Sequence, residues 1–344
     1  PIAAQSPLAN PCGPRAWGRS QTAHARAISC CSRLADVGQT NCCSPARDDG
    51  DRLTPVSQTG VGVHLGALCD ILGGSGLIGT NHPVIKPDGE GPLRKSKIKP
   101  FRIGQTPVSN REFAAFVDET SFVSEAERFG WSFVFYAQVP KSQQTVQGSQ
   151  GAQWWRRVDG ATWNQPTGPH SPAYDPDHPA VHLSWNDAQA YCTWAGGRLP
   201  REAEWEHAAR GGLGNVIYPW GNADPDDSHH LPCNIWQGQF PTHNMATDGY
   251  AFTSPAQSFA ANGYGLYGMA GNVWDWTADL FRIKSLSKSG KAQAATMRGY
   301  RLIKGGSYLC HASYCTRYRI AARTGNSPDS STGHTGFRIV FDYD

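Results

Sequence analysis

The sequence predicts an α+β fold that is rich in loops and has little regular secondary structure. Three observations carry this. The 344 residues include 38 glycines and 24 prolines, which interrupt helices and strands and build turns. They include 12 tryptophans, which supply large apolar contacts without long elements. Clear helix signals occur at only three places, with short strand-like runs and turn residues between them.

In chain order, the first helix opens at Ser109. Ser109 and Glu112 form a capping box, Val108 can staple to Phe113, and Phe113, Phe116 and Val117 follow a helical stripe. Phe133-Val134-Phe135-Tyr136 reads as a short strand, and the polar stretch 141–153 as a surface loop. A second helix starts at Ser184, with Asp187 at the matching cap position, and stops at Gly196-Gly197. A third follows Pro200, runs through Glu202-Ala203-Glu204-Trp205-Glu206 and ends at Gly211-Gly212, with proline at its start and glycine past its end. No repeat of 20 to 50 residues is visible.

The length allows one large domain or two average ones. Residues 1–60 lack periodicity and are rich in Ser, Arg, Gly and Pro, so they read as disordered or poorly packed. Four arginines precede the first acidic residue, Asp36. That bias fits a targeting peptide, but there is no apolar core for a secretory signal. The opening Pro1 reads as a processed or trimmed chain. The folded part is expected over 65–344 as a single domain. The net charge of +3, without any basic run, argues against a nucleic-acid surface, and no stretch is long and apolar enough for a membrane span.

Of the ten cysteines, five precede residue 44, and the rest are too sparse for a disulfide framework. Cys310 and Cys315 stand out, in Gly305-Gly306-Ser307-Tyr308-Leu309-Cys310-His311-Ala312-Ser313-Tyr314-Cys315-Thr316-Arg317-Tyr318-Arg319. Two thiols this close can form a soft-metal site, a redox pair or a structural disulfide. His311, Arg317, Arg319 and Arg323 would favour thiolate if they faced the sulfurs. Two thiolates without another soft donor suit Cu(I) better than zinc, which takes four ligands and usually a Cys-x2-Cys half-site.

Several segments resemble formylglycine-generating enzyme, the sulfatase-modifying factor family. They are Ser184-Trp185-Asn186-Asp187-Ala188 running into Cys192-Thr193-Trp194-Ala195-Gly196-Gly197-Arg198-Leu199-Pro200-Arg201-Glu202-Ala203-Glu204-Trp205-Glu206, then Tyr218-Pro219-Trp220-Gly221-Asn222 and Asn234-Ile235-Trp236-Gln237-Gly238. Asn262-Gly263-Tyr264-Gly265-Leu266-Tyr267, Gly271-Asn272-Val273-Trp274-Asp275-Trp276, the cysteine segment, Asn326-Ser327-Pro328-Asp329-Ser330-Ser331 and Gly336-Phe337-Arg338 follow in family order. The blocks shared across the superfamily imply a C-type-lectin-like α+β core. The cysteine segment separates the oxidase from a non-catalytic, lectin-like binding paralogue. None of the twelve histidines sits in the His-x3-Glu-x-His pattern of the related iron sulfoxide synthases.

The resemblance implies that Cys310 and Cys315 hold Cu(I), and that O2 and an unfolded sulfatase segment reading Cys-x-Pro-x-Arg are the substrates. The substrate thiol would be the third ligand. Loss of hydrogen from its Cβ, then hydrolysis, would give formylglycine. It places Ser307 and Trp274 at the catalytic site and Tyr314, Arg317 and His311 beside the peptide. For each there is also a plainer reading: a turn for Ser307, core for Trp274 and a solvated charge for Arg317. It further implies structural Ca2+ held by Asn234, Ile235, Asp248 and Tyr250, and a second ion near Gly268, Gly271, Val273 and Asp275, where Gly268 and Asp275 depart from the common Asn and Glu. Asx-turns are the plainer reading of both. Relatives from oxidising compartments pair cysteines at the positions of Cys192 with Ile339 and of Ala209 with Ile320. Neither pair can form here, which favours a reducing compartment, the cytoplasm, or at least a fold independent of oxidation; the secretory-pathway lumen is the alternative.

The chain also carries the family's substrate pattern itself, Cys43-Ser44-Pro45-Ala46-Arg47. The segment reads first as an accidental match in a disordered tail or as a metal-delivering Cys42-Cys43 pair; the alternative is an autosubstrate or a pseudosubstrate.

Overall fold

A computed structural model describes residues 44–47, 62–139, 148–149, 152–283 and 288–343. Both capping boxes expected from sequence form. In α1 (Asn110–Thr120) the Ser109 N–H donates to the Glu112 carboxylate and the Glu112 N–H returns to the Ser109 hydroxyl. Ser184 and Asp187 do the same for α3 (Trp185–Trp194). Each satisfies two amides that a helix start otherwise leaves open. Val108 and Phe113 are buried in one cluster. The third expected helix is α4 (Glu202–Ala209), closed by Gly211 and Gly212 at φ of 54° and 82°. A further short helix, α2 (Glu125–Phe129), has its own box from Ser124 and Glu127. Five residues are too few to show a hydrophobic period. The last helix, α5, is Lys288–Thr296.

The central sheet has the order β12-β11-β10-β13, formed by Thr324–Asn326, Arg301–Lys304, Trp274–Leu280 and Thr335–Phe337. Only the β10–β13 pair is parallel. Trp274 and Trp276 of β10 are fully buried in the main core with α1 and α3. A second sheet, β1-β4-β14 (Leu68–Ile71, Phe101–Gly104, Val340–Asp342), packs its apolar residues with those of α4. A third, β5-β7-β6 (Trp131–Phe135, Ala152–Asp159, Gly148–Ser149), carries an aromatic cluster of Trp131, Phe133, Phe135 and Trp155 that reaches Tyr308 and Leu309. The remaining strands form two small hairpins, β2-β3 (Gly74–Ile78, Arg94–Ile98) and β8-β9 (Gly238–Gln239, His243–Asn244).

Two expectations are corrected. The stretch 141–153 is not simply a loop, since β6 and the start of β7 fall within it; the other part lies outside the described residues. The N-terminal 60 residues are not uniformly unpacked. Ser44, Pro45 and Arg47 are buried against the domain, whereas Cys12, Cys30, Cys31, Cys42 and Cys43 lie outside the described residues. Cys192 and Ile339 pack in one apolar cluster, and Ala209 and Ile320 in another. Hydrophobic contacts thus stand where relatives are expected to place sulfur bridges. Among the described residues no helix is long and apolar enough to cross a membrane.

Candidate active site

The cysteine segment leaves β11 through Gly305 and Gly306, both at positive φ (92° and 73°). A side chain at Gly306 would meet the Tyr318 backbone within 3.0 Å, so glycine is required for the close approach. The chain then makes two tight turns. The Cys310 N–H donates to the Ser307 carbonyl (2.9 Å) and the Cys315 N–H to the His311 carbonyl (2.7 Å). Their result is that Cys310 Sγ and Cys315 Sγ lie 3.5 Å apart, both buried and unbridged. Burial, and then the neighbouring Cys315 thiol, raise the Cys310 pKa well above its ordinary value.

The sulfurs line a cavity of about 10 Å³, walled by Trp154, Phe240, Trp274, Ser307, Leu309 and Tyr314. That is on the order of the space one water-sized guest needs. Tyr314 stacks on Phe240 (4.3 Å between centroids) and meets Trp154 edge-on (5.1 Å). Trp274 is fully buried and its indole N–H has no partner among the described residues. Five of the sequence-predicted residues, Ser307, Trp274, Tyr314, Cys310 and Cys315, therefore share a single small pocket. Trp154 and Phe240 were missed. They come from distant strands and turns, and no local pattern marks them.

His311 and Arg317 belong elsewhere. His311 bridges Asp227 (3.1 Å) and Ser313 (2.7 Å) and does not line the pocket. Arg317 is neither peptide-facing nor a solvated charge. It is buried, with Nε on Asp88 Oδ2 (2.6 Å) and a terminal nitrogen 3.6 Å from Cys315 Sγ. Of the four bases expected near the sulfurs, the structure brings Arg317 to them. Arg319 is paired with Glu90 and Arg323 with Glu202. The acidic partners Asp88 and Glu90 lie more than 200 residues upstream in sequence, which is why sequence reasoning overlooked them.

The two proposed calcium sets differ. The Ile235 carbonyl and Asp248 Oδ2 converge on one point, the Gln237 side-chain amide, which donates to both. Asp248 also accepts the Tyr250 N–H (3.0 Å), and burial pushes its carboxyl up. Asn234 is buried and its side-chain oxygen has no partner among the described residues. An orphaned buried oxygen, together with a carboxylate and a carbonyl in the same set, is the donor chemistry a hard cation takes. The second set carries a competing cation, with Asp275 Oδ1 left without a partner among the described residues. Asp275 Oδ2 is taken by Arg338 Nε (2.9 Å) and Trp205 Nε1 (2.9 Å). A side chain at Gly268 would sit 3.5 Å from the same guanidinium. Gly271 and Asn272 are tied by their amides to the Gly305 and Asn234 carbonyls, and Val273 is core. Arg338 supplies the positive charge there.

A larger cleft of about 210 Å³, lined by Trp220, Cys233, Asn234, Asn262 and Met269 among others, lies apart from the sulfurs. Its one thiol, Cys233, is pushed up by burial.

Residues 61–343 match the family model of a sulfatase-modifying factor enzyme 1-like domain. The chain is 52% identical over 280 residues to a formylglycine-generating enzyme of Thermomonospora curvata, covering 79% of this chain and 92% of that protein. It is 43% identical over 339 residues to a formylglycine-generating enzyme of Bos taurus, covering 97% and 84%. It is also 43% identical over 280 residues to a Bos taurus protein named inactive C-alpha-formylglycine-generating enzyme 2, covering 79% and 87%. Among solved structures, PvdO from Pseudomonas aeruginosa superposes with a TM-score of 0.56 at 23% identity, over 85% of this chain and all of that one, a likeness of fold alone.

Proposed function

Because the chain belongs to the formylglycine-generating enzyme (sulfatase-modifying factor) family, we propose that it is an active, copper-dependent member that uses O2 to convert the cysteine of a Cys-x-Pro-x-Arg sulfatase segment to formylglycine. Relatives of similar identity include one named as inactive, so overall similarity does not decide the matter. The observation that carries the reading is the facing pair of buried thiols at the mouth of a one-guest cavity.

The donor set fits a soft monovalent ion. Two sulfurs are present, no carboxylate or imidazole lines the pocket, and among the described residues no cluster of three His, Cys, Asp or Glu competes for the metal. When bound, Cu(I) would supply one-electron chemistry toward O2. The chain's own residues do the rest. Trp154, Trp274, Phe240 and Tyr314 exclude water and shape the cavity. The Ser307 hydroxyl, which accepts the Leu309 N–H (3.3 Å), keeps its proton to donate toward a guest. Arg317 offsets the negative charge that two thiolates around one monovalent cation leave behind. Free thiols at all five described cysteines, with no bridge needed by the core, support action in a reducing compartment such as the cytoplasm. One structural Ca2+ at Asn234, Ile235, Asp248 and Tyr250 completes the proposal; Asp275 is left out of it.

The test is oxygen consumption with a Cys-x-Pro-x-Arg peptide, with and without added copper, and the mass of the product. Copper-dependent uptake with loss of sulfur from the peptide supports the reading. A copper-loaded chain that leaves the peptide unchanged makes it an inactive paralogue.

A further inference from the structure

Ser44-Pro45-Ala46-Arg47 lies in a groove built for it. Asn326 donates from its side-chain amide to the Ser44 hydroxyl (2.8 Å) and the Pro45 carbonyl (3.1 Å), and Ser330 donates to the same carbonyl (2.7 Å). Arg47 donates to the carbonyls of Asp329 (3.0 Å) and Trp131 (2.7 Å) and to the Ser331 hydroxyl (2.8 Å). Its guanidinium lies over the rings of Phe129 (4.2 Å) and Trp131 (3.9 Å). Arg47, Asn326, Ser330 and Ser331 are all nearly or fully buried. Aromatic faces and several carbonyl acceptors select a planar, multiply donating cation, that is arginine in preference to lysine.

The groove's wall and the thiol pocket are borne by the same central sheet. That wall, residues 326–334, ends at His334, whose carbonyl takes the Trp274 backbone N–H (2.8 Å) and whose ring packs on Trp155 (4.5 Å). Trp155 adjoins Trp154, and both Trp154 and Trp274 line the sulfur cavity. The segment so held reads x-Pro-x-Arg, the part of the proposed substrate pattern that follows the reacting cysteine.

We infer that the chain's own Ser44–Arg47 segment occupies, in cis, the groove that reads Pro-x-Arg of an incoming peptide, and that it competes with that peptide. This rests on the proposed activity for the identity of the peptide. A tether of some tens of residues or fewer gives an effective concentration of about a millimolar. Against an intrinsic affinity of about 0.1 mM for so short a segment, occupancy weakens the apparent affinity for peptide about tenfold.

The experiment uses the full chain and a non-reactive Ser-x-Pro-x-Arg peptide, with affinity measured by calorimetry and unfolding temperature as a check on the fold. Arg47→Gln is expected to bind the peptide about tenfold more tightly than the natural chain. Arg47→Lys, which keeps the charge and loses the planar fork, shifts it in the same direction by a smaller factor. Peptide KM in the oxidation assay falls in parallel while kcat stays the same. Unchanged affinity in both folded variants overturns the inference and makes the segment a structural strap. If the variants bind more tightly but no form of the chain oxidises the cysteine peptide, the competition stands and the proposed activity fails.

Discussion

Two buried loops leave the same four-stranded sheet and are built for opposite purposes. The segment after β11 presents two sulfurs and a wall of rings around about 10 Å³ of space. The segment after β12, residues 327–334, presents hydroxyls, carbonyls and amides, several of them engaged by neighbours. Ser132 bonds both the Ser331 hydroxyl (2.7 Å) and its carbonyl (3.0 Å), and Thr332 bonds His334 (2.6 Å) and Thr335 (2.7 Å). A reactive site for a soft ion needs few polar competitors. A site that recognises a peptide backbone and an arginine needs many, each fixed by a neighbour. The contrast assigns reaction to the first loop and recognition to the second, and substitutions in each should separate the two.

The largest effect is expected at the sulfurs. Cys310→Ser or Cys315→Ser leaves one thiol, too few to hold Cu(I), so copper-dependent turnover falls by at least about a thousandfold, a loss of roughly 4 kcal/mol of transition-state stabilisation. Binding of the Ser-x-Pro-x-Arg peptide is retained. Turnover surviving in either variant in a copper-replete assay breaks the division, as does loss of peptide binding in a folded one.

A smaller effect follows from Asp88→Asn. Asp88 holds Arg317 beside Cys315, and removing its charge leaves a buried guanidinium without its carboxylate. Loss of about 3 kcal/mol of stability and a weaker hold on Cu(I), read by competition with a chromogenic chelator, are expected together. Peptide affinity should not move, because the groove's partners for Ser44, Pro45 and Arg47 are Asn326, Ser330, Ser331 and the Asp329 and Trp131 carbonyls.

These expectations show how unevenly the sequence reveals the site. Short-range chemistry is legible: both capping boxes, the glycine stops and the cysteine pair depend on residues within about five positions of each other. Trp274, Ser307 and Tyr314 come from family resemblance, and all reach the pocket. What is hidden is made by long-range pairing. Arg317 reads as surface because charged residues usually are, and only Asp88, folded in from far upstream, makes its burial tolerable. Asp275 reads as a metal ligand, and the sequence gives no sign that Arg338, 63 residues away, engages one of its oxygens, Oδ2. Phe129 and Trp131 flank a glycine turn and give no local sign that two rings will sandwich an arginine.

The loop proposed to hold calcium lies on the reactive side of the comparison, since the Trp236 N–H donates to the Cys310 carbonyl (3.0 Å). Saturating calcium is expected to raise the unfolding temperature by roughly 5 °C, from about 2.7 kcal/mol at a hundredfold excess over Kd. Asp248→Asn removes the shift, whereas Asp275→Asn lowers stability without altering the response. A shift that survives in the Asp248 variant moves the ion elsewhere.

The smallest effect probes the support beneath the recognition loop. His182 is fully buried, its N–H backbone group donates to the Thr332 carbonyl (2.9 Å), and its ring meets the Ser132 hydroxyl (2.8 Å) that braces Ser331. Burial lowers its pKa from 6.5 to about 3. The folded state therefore holds the neutral ring, while the unfolded chain takes up a proton below about 6.5. Stability from this residue is complete above that pH and declines as pH falls toward 3, by about 2 kcal/mol at pH 5. Asparagine is the right replacement, because His182 has a φ of 58°, a conformation asparagine tolerates. Urea unfolding of the natural chain and His182→Asn at pH 7.5 and pH 5 isolates this group from the other titrating histidines. The natural chain should lose about 2 kcal/mol more than the variant on acidification. Equal losses would mean that the ring charges without cost, and that the recognition loop is not braced by a neutral histidine.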